Sequence, residues 1–181
     1  MPRPNYGNSS SRPSGYSSTQ PPSRPPSRGP SNYQGGGGSS DSEINPILSQ
    51  IRSLTHLADL SVEEIAKENG IADKLANNRK FRNDLKTTQL RKFFDTIVNN
   101  QEKLKSSGWE SVESDFYMIR PNLAYAKGRK LIPDDFFQLV SACLEKVNPQ
   151  GSTDEQIKKN YNRFVELMQA LVAYIKYYGG Q

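Results

Sequence analysis

Few side chains in this sequence can do covalent or acid–base chemistry. One histidine, His56, and one cysteine, Cys143, stand among 181 residues. They permit no internal disulfide, no Cys/His zinc cage and no pair of histidines for a metal. A serine or cysteine nucleophile would want a histidine base, yet His56 falls in a stretch dense with apolar residues. Cys143 lies mid-way along an apolar helical pattern, where a small core residue belongs. Asp134 and Asp135 are adjacent carboxylates that a small nuclease could use to hold a divalent cation. They follow Pro133 at a predicted helix start, however, where amide dipoles stabilise negative charge, and capping is the favoured reading. No phosphate-cradling glycine motif follows a strand, since Gly35 to Gly38 lie in a Ser/Pro-rich stretch. Catalysis, a bound metal and a cofactor are therefore not expected.

Cations supply the remaining chemistry. Residues 74–92 hold Lys74, Arg79, Lys80, Arg82, Lys86, Arg91 and Lys92 against Asp84 alone, and Arg120, Lys127, Arg129 and Lys130 stand unopposed between 120 and 130. Arg120 and Lys127 are seven residues apart, which on an ideal helix sets them on nearly one face about 10 Å apart. Gly128, Arg129 and Lys130 would extend that charge into a loop, an array suited to a phosphate backbone crossing the surface. Residues 77–82 mix amide, guanidinium and aromatic groups in an expected basic loop, a composition that binds phosphate and stacks on bases. A solvated surface is the alternative, and Arg91 can instead pair locally with Asp95.

Composition and period define the elements that must position these groups. Ser, Pro and Gly fill 26 of the first 40 positions, and such a segment buries too little apolar surface to offset its ordering entropy. Residues 1–41 are predicted to be a disordered Ser/Pro/Gly/Arg-rich tail, and residues 42–181 a helical domain. The tail reads as a tether, with arginines and tyrosines able to touch nucleic acid weakly. Of the net charge of +5, Arg3, Arg12, Arg24 and Arg28 belong to the tail without an acid, leaving 20 basic against 19 acidic residues beyond it. Placement of charge, not its total, is then the guide to partners. No apolar run approaches the roughly 20 residues of a membrane span, and no apolar signal core opens the chain, so a soluble, non-secreted protein is expected.

Apolar residues recur at helical spacing throughout the domain, and no strand alternation survives beside them. A first helix is predicted over 44–58, with Pro46 tolerated in its opening turn. Ser61 and Glu64 have capping-box spacing and start a second, ending near Gly70. Residues 71–86 are ambiguous, a short helix leading into the basic loop. Thr87 or Thr88 should cap a third helix to Lys105, closed by Gly108. A fourth, over 112–127, should be kinked by Pro121 and capped by Gly128. A fifth starts at Pro133. The last, opened by a capping box at Thr153 to Gln156, carries Ile157, Tyr161, Phe164, Met168, Leu171, Ile175 and Tyr178 for about six turns. The fold class is all-α, a compact bundle of five to six helices.

Three separated stretches carry a resemblance. Thr87-Thr88-Gln89-Leu90-Arg91-Lys92-Phe93-Phe94, then Ile119-Arg120-Pro121-Asn122-Leu123-Ala124-Tyr125-Ala126-Lys127-Gly128-Arg129, and Phe164 followed by Ala170-Leu171-Val172-Ala173-Tyr174-Ile175-Lys176 resemble the small helical subunit of type III-A CRISPR-Cas (Csm) effector complexes. The likeness spans about residues 45–180. It implies a non-catalytic bundle of the prokaryotic cytoplasm, stacked in several copies along guide RNA and single-stranded target RNA, with backbone and large subunits as partners. Target-RNA cleavage would belong to a neighbouring backbone subunit. The matching basic positions are Arg91, Lys92, Arg120, Lys127, Arg129 and, less closely, Lys176; Lys74, Arg79, Lys80, Arg82 and Lys130 join them from the charge pattern. Leu167, Tyr174 and Tyr177 leave the last helix with more apolar surface than one bundle face requires. With aromatic residues enriched where proteins meet, Tyr174 and Tyr177 are candidates for contact between copies, with packing inside the bundle as the alternative. A helical protein-interaction subunit with no direct RNA contact is the alternative.

Overall fold

The computed structural model describes residues 44–179; the expected tail lies outside the described residues. Within them the chain forms α1 (Ile44–Ser53), α2 (Val62–Ala66), α3 (Ile71–Asn77), α4 (Arg79–Asp84), α5 (Thr87–Ser107), α6 (Glu113–Gly128), α7 (Asp134–Val147) and α8 (Asp154–Gly179), with 3-10 turns at Leu57–Asp59 and Trp109–Ser111 and no strand. The five longest helices are those that the apolar spacing predicts. The three short ones fall where the periodicity is weakest.

α1 buries Ile44, Ile47, Leu48 and Ile51, an i, i+3, i+4, i+7 stripe, against α7. It stops at Ser53 instead of running to Ala58. The Asp59 carboxylate accepts the His56 amide at 3.0 Å, and Asn160 of α8 accepts the Ala58 amide at 3.1 Å. Those side chains offer the backbone an alternative to helix, and the turn they form buries Leu57 completely.

α2 opens on the expected capping box. The Ser61 hydroxyl accepts the Glu64 amide at 3.1 Å, and the Glu64 carboxylate accepts the Ser61 amide at 3.0 Å. That backbone bond, followed by the Ser61 hydroxyl's own, holds Glu64 below the ordinary glutamate range. Asn78 then separates α3 from α4 by accepting the Phe81 amide at 3.0 Å, an N-cap that turns the expected basic loop into a helix. Burial of Phe81 and Leu85, with the Phe81 ring 6.4 Å from Phe136 of α7, anchors that short element.

Two further ends differ from expectation. Lys86, not a threonine, occupies the N-cap position of α5, and no side chain caps that helix. α6 continues through the exposed Pro121 and includes Gly128; the left-handed residue beyond its end is Lys130, with φ 57°. At the C-terminus of α5 the expected stop holds, with Gly108 at φ 80° accepting a conformation costly for other residues.

α8 is the central element, packed by α2, α3, α5, α7 and the first 3-10 turn. Tyr161, Phe164, Leu167, Met168 and Leu171 are all fully buried. Leu167, off the centre of the predicted stripe, is therefore a core residue, because α8 is covered on more than one side. Asn160, also fully buried, donates to the Val147 carbonyl at 2.9 Å while accepting from Ala58, so one amide ties α8 to both the end of α7 and the turn at 57–59.

Candidate nucleic-acid interface

Three lysines from two separate parts of the chain meet at one surface. Lys86 enters α5, Lys127 closes the last turn of α6, and Lys130 follows it. Together with Asn83, Asp84 and Asp134 they line a single depression of about 380 Å³. Lys127 is ion-paired with Asp134 and lies 4.8 Å from the centre of the Phe137 ring. Asp134 also accepts from Gln138 at 2.7 Å. The Lys127 contact, then the Gln138 bond, holds the Asp134 carboxyl below the ordinary aspartate range. An exposed pair of this kind contributes about 0–1 kcal/mol, so a phosphate can take over the lysine at little cost. Lys86 and Lys130 have no ion pair among the described residues. Lys86 belongs to the 74–92 basic stretch, but it lies some forty positions from Lys127 and only the fold joins them.

Aromatic and apolar groups are also exposed on α6. α6 buries Phe116, Ile119 and Leu123, leaving Tyr117, Met118 and Tyr125 at 57%, 50% and 65% exposure. The helical wheel contains that signal, since 117, 118 and 125 fall on the face turned away from the buried positions. Arg129 reaches back along the helix, donating to the Tyr125 hydroxyl at 3.2 Å with its guanidinium 5.6 Å from the Tyr125 ring centre. Arg120 is exposed and sits 3.5 Å from Glu145 of α7. α6 thus interleaves cations with aromatic faces, although both Arg120 and Lys127 have acidic neighbours on α7.

The remaining candidates divide. Arg91 and Lys92 are exposed on α5, and Lys74, Arg79 and Lys80 on α3 and α4. Arg82 is half-buried and turned inward: it donates to the Ala76 carbonyl at 2.7 Å and stands 5.8 Å from the Tyr178 ring centre, bracing the α3–α4 break. Lys176 is exposed near the end of α8. Tyr174 is tied within the molecule, its hydroxyl donating to the Ala66 carbonyl at 2.8 Å and its ring stacked on Tyr178 at 6.5 Å. Tyr177 remains 61% exposed.

Groups that could do other chemistry are engaged elsewhere. His56 lies in the turn after α1, with Nδ1 3.4 Å from the Asn160 amide. Burial pushes the Cys143 thiol up to about 12, which keeps it protonated and inert near neutrality. Asp134 sits in the first turn of α7 without capping a backbone amide; its stabilisation comes from the helix dipole, Gln138 and Lys127. Among the described residues no group of three or more His, Cys, Asp or Glu side chains could hold a metal ion, and no helix is long and apolar enough to cross a membrane.

A family model described as Csm2 Type III-A matches residues 62–181, which takes in α2 to α8 and all three lysines of the depression. The chain belongs to the Csm2 family of type III-A CRISPR systems. Among curated Csm2 proteins, "CRISPR system Cms protein Csm2" of Streptococcus thermophilus is 28% identical over 98 residues, 54% of this chain and 75% of that protein. No solved structure matches. Csm2 membership makes the chain a subunit of a type III-A CRISPR complex, and so a protein that works with other subunits.

Proposed function

We propose that this Csm2 subunit is a non-catalytic RNA-binding element of the complex, stacked in several copies along the guide RNA and its single-stranded target in antiviral defence, in the cytoplasm of a prokaryote. The convergence of Lys86, Lys127 and Lys130 on one depression, on a chain whose α6 also exposes Tyr117 and Tyr125, carries this reading. Lysines neutralise phosphates without reading sequence, and pairing between guide and target supplies the sequence choice. Exposed tyrosines offer faces on which unpaired bases stack. Copies in register would present such a surface repeatedly along the strand, while backbone and large subunits hold the rest of the assembly and the cleavage chemistry.

Anisotropy of a labelled single-stranded RNA across a salt titration tests the proposal. Each phosphate contact to a single strand contributes a slope of about −0.7 in log affinity against log salt. Replacing Lys86, Lys127 and Lys130 together by alanine should flatten the slope by roughly two units with helical content unchanged. Replacing the inward-turned Arg82 should cost stability first. A triple variant that binds as the unaltered protein does would move this face to a partner subunit, the protein-interaction reading. Metal-dependent cleavage of RNA by the pure protein, lost on replacing Asp134 and Asp135, would revive a nuclease.

A further inference from the structure

Between α5 and α6 runs a groove that neither the core nor the ion pairs account for. Its floor is apolar: the half-buried Phe93 of α5, the buried Ile119 and Leu123 of α6, and the fully buried Phe136 of α7. Phe93 and Phe136 meet edge to face at 5.6 Å, which fixes the Phe93 ring. The rim is polar, with Gln89 and Lys92 on one side and Asn122 on the other. The side-chain amides of Gln89 and Asn122 have no hydrogen-bond partner among the described residues.

Size restricts what the groove can hold. Its cavity of about 160 Å³ is many times the roughly 10–15 Å³ that one water requires, yet short of the roughly 300–1,000 Å³ of a site for a drug-sized molecule. One flat ring fits; a cofactor does not. Ile132 lines both this groove and the depression of Lys86, Lys127 and Lys130. An apolar slot with amide donors and acceptors at its lip therefore shares a wall with a cluster of cations. A nucleotide has the same two parts in the same proximity, a ring with polar edges and an anionic backbone.

We propose that the α5–α6 groove receives one unstacked nucleobase of single-stranded RNA, its edge meeting Gln89 and Asn122 and its flanking phosphates meeting Lys86, Lys127 and Lys130. This rests on the RNA-binding reading above and names the subsite within it. Such a site would hold the strand at one register position per copy, because a base in the groove cannot slide as phosphates on a lysine surface can. The amides can adapt to different base edges, so sequence preference should be slight.

The test fills the groove without touching a charge. Ala126, half-buried on α6, lines it, and Ala126→Leu adds bulk there while keeping helix propensity. Thr96→Leu does the same from α5. With the full chain, affinity is measured for a ten-nucleotide uridine RNA and for a ribose–phosphate chain of equal length lacking bases. Loss of one base contact weakens binding by about tenfold, so each variant should bind the uridine strand about tenfold less tightly, with the salt slope and the affinity for the base-free chain unchanged. Equal weakening for both strands, or for neither, overturns the proposal. Unchanged RNA affinity with fewer copies of Ala126→Leu in the purified complex would give the groove to an apolar side chain of a neighbouring subunit and overturn it too. Failure of the unaltered protein to bind either strand would remove the RNA-binding reading itself, and this subsite with it.

Discussion

Individual residues in this bundle do two jobs that their types alone do not separate. Arg82 and Lys130 are both basic and close in sequence to their own clusters, yet one braces a helix break and the other faces solvent. Tyr174, Tyr177 and Tyr178 likewise differ, although three tyrosines within five positions look alike in the sequence. Tyr178 donates to Asp73 at 2.6 Å, and Asp73 is buried and also accepts the Asn69 amide at 2.7 Å. The carboxylate's acceptance of its proton, then desolvation, pushes the Tyr178 hydroxyl up to about 12. A folded-state value above the ordinary tyrosine value of about 10 means a contribution complete below about pH 10 and lost as pH rises toward 12. Tyr178→Phe should therefore lower the urea midpoint at neutral pH, and its deficit should shrink between about pH 10 and about pH 12. A deficit constant across that range would show that the hydroxyl's bond to Asp73 is not what the substitution removes.

At the scale of elements, the long helices were legible because burial on one face imposes a 3.6-residue period over many turns. Short elements were not, since five or six residues carry too few apolar positions to establish a period and their existence depends on caps. α4 exists because Asn78 caps it and Phe81 finds Phe136, a partner more than fifty positions away. The α2–α3 junction is equally specific. Gly70 is the N-cap of α3, and a Cβ there would lie 2.7 Å from the Lys67 carbonyl oxygen and 2.8 Å from that of Glu64. Backbone oxygens cannot swing aside as side-chain tips do. Gly70→Ala should destabilise the protein by about 1–3 kcal/mol, the range of an overpacked site, read as a lower urea midpoint at unchanged slope. A midpoint equal to that of the unaltered protein would mean that the α2–α3 turn yields at no cost.

Across the whole molecule, we propose that assembly uses the apolar groups α8 leaves over. Its position at the centre absorbs Leu167, and the bond to Ala66 engages Tyr174. Tyr177 is the aromatic group of α8 that stays exposed, and so the one proposed to meet another copy or another subunit. We expect Tyr177→Ser to reduce copies per purified complex, seen by native mass spectrometry, with the melting temperature unchanged; Tyr174→Ser should lower the melting temperature instead. Unchanged stoichiometry in the Tyr177 variant would place the contact between copies on another face. Composition also sets an expectation for the first 40 residues, which have no apolar stripe with which to dock: a chain starting at Asp41 should melt as the full chain does. A large drop in melting temperature would assign those residues a packing role.

Sequence by itself determined the all-α class, the long helices, the Ser61–Glu64 box, the stop at Gly108 and the poverty of catalytic groups, because each follows from local period, local hydrogen bonding or composition. The likeness to type III-A small subunits was legible too, through three motifs, and the family match over residues 62–181 contains all three. Tertiary structure alone decided which cations come together. Lys86 joins Lys127 and Lys130, Arg82 turns inward, and the α5–α6 groove opens beside them, since each outcome depends on residues far apart in the chain, and helical periodicity sets a residue's face on its own helix without naming what that face meets.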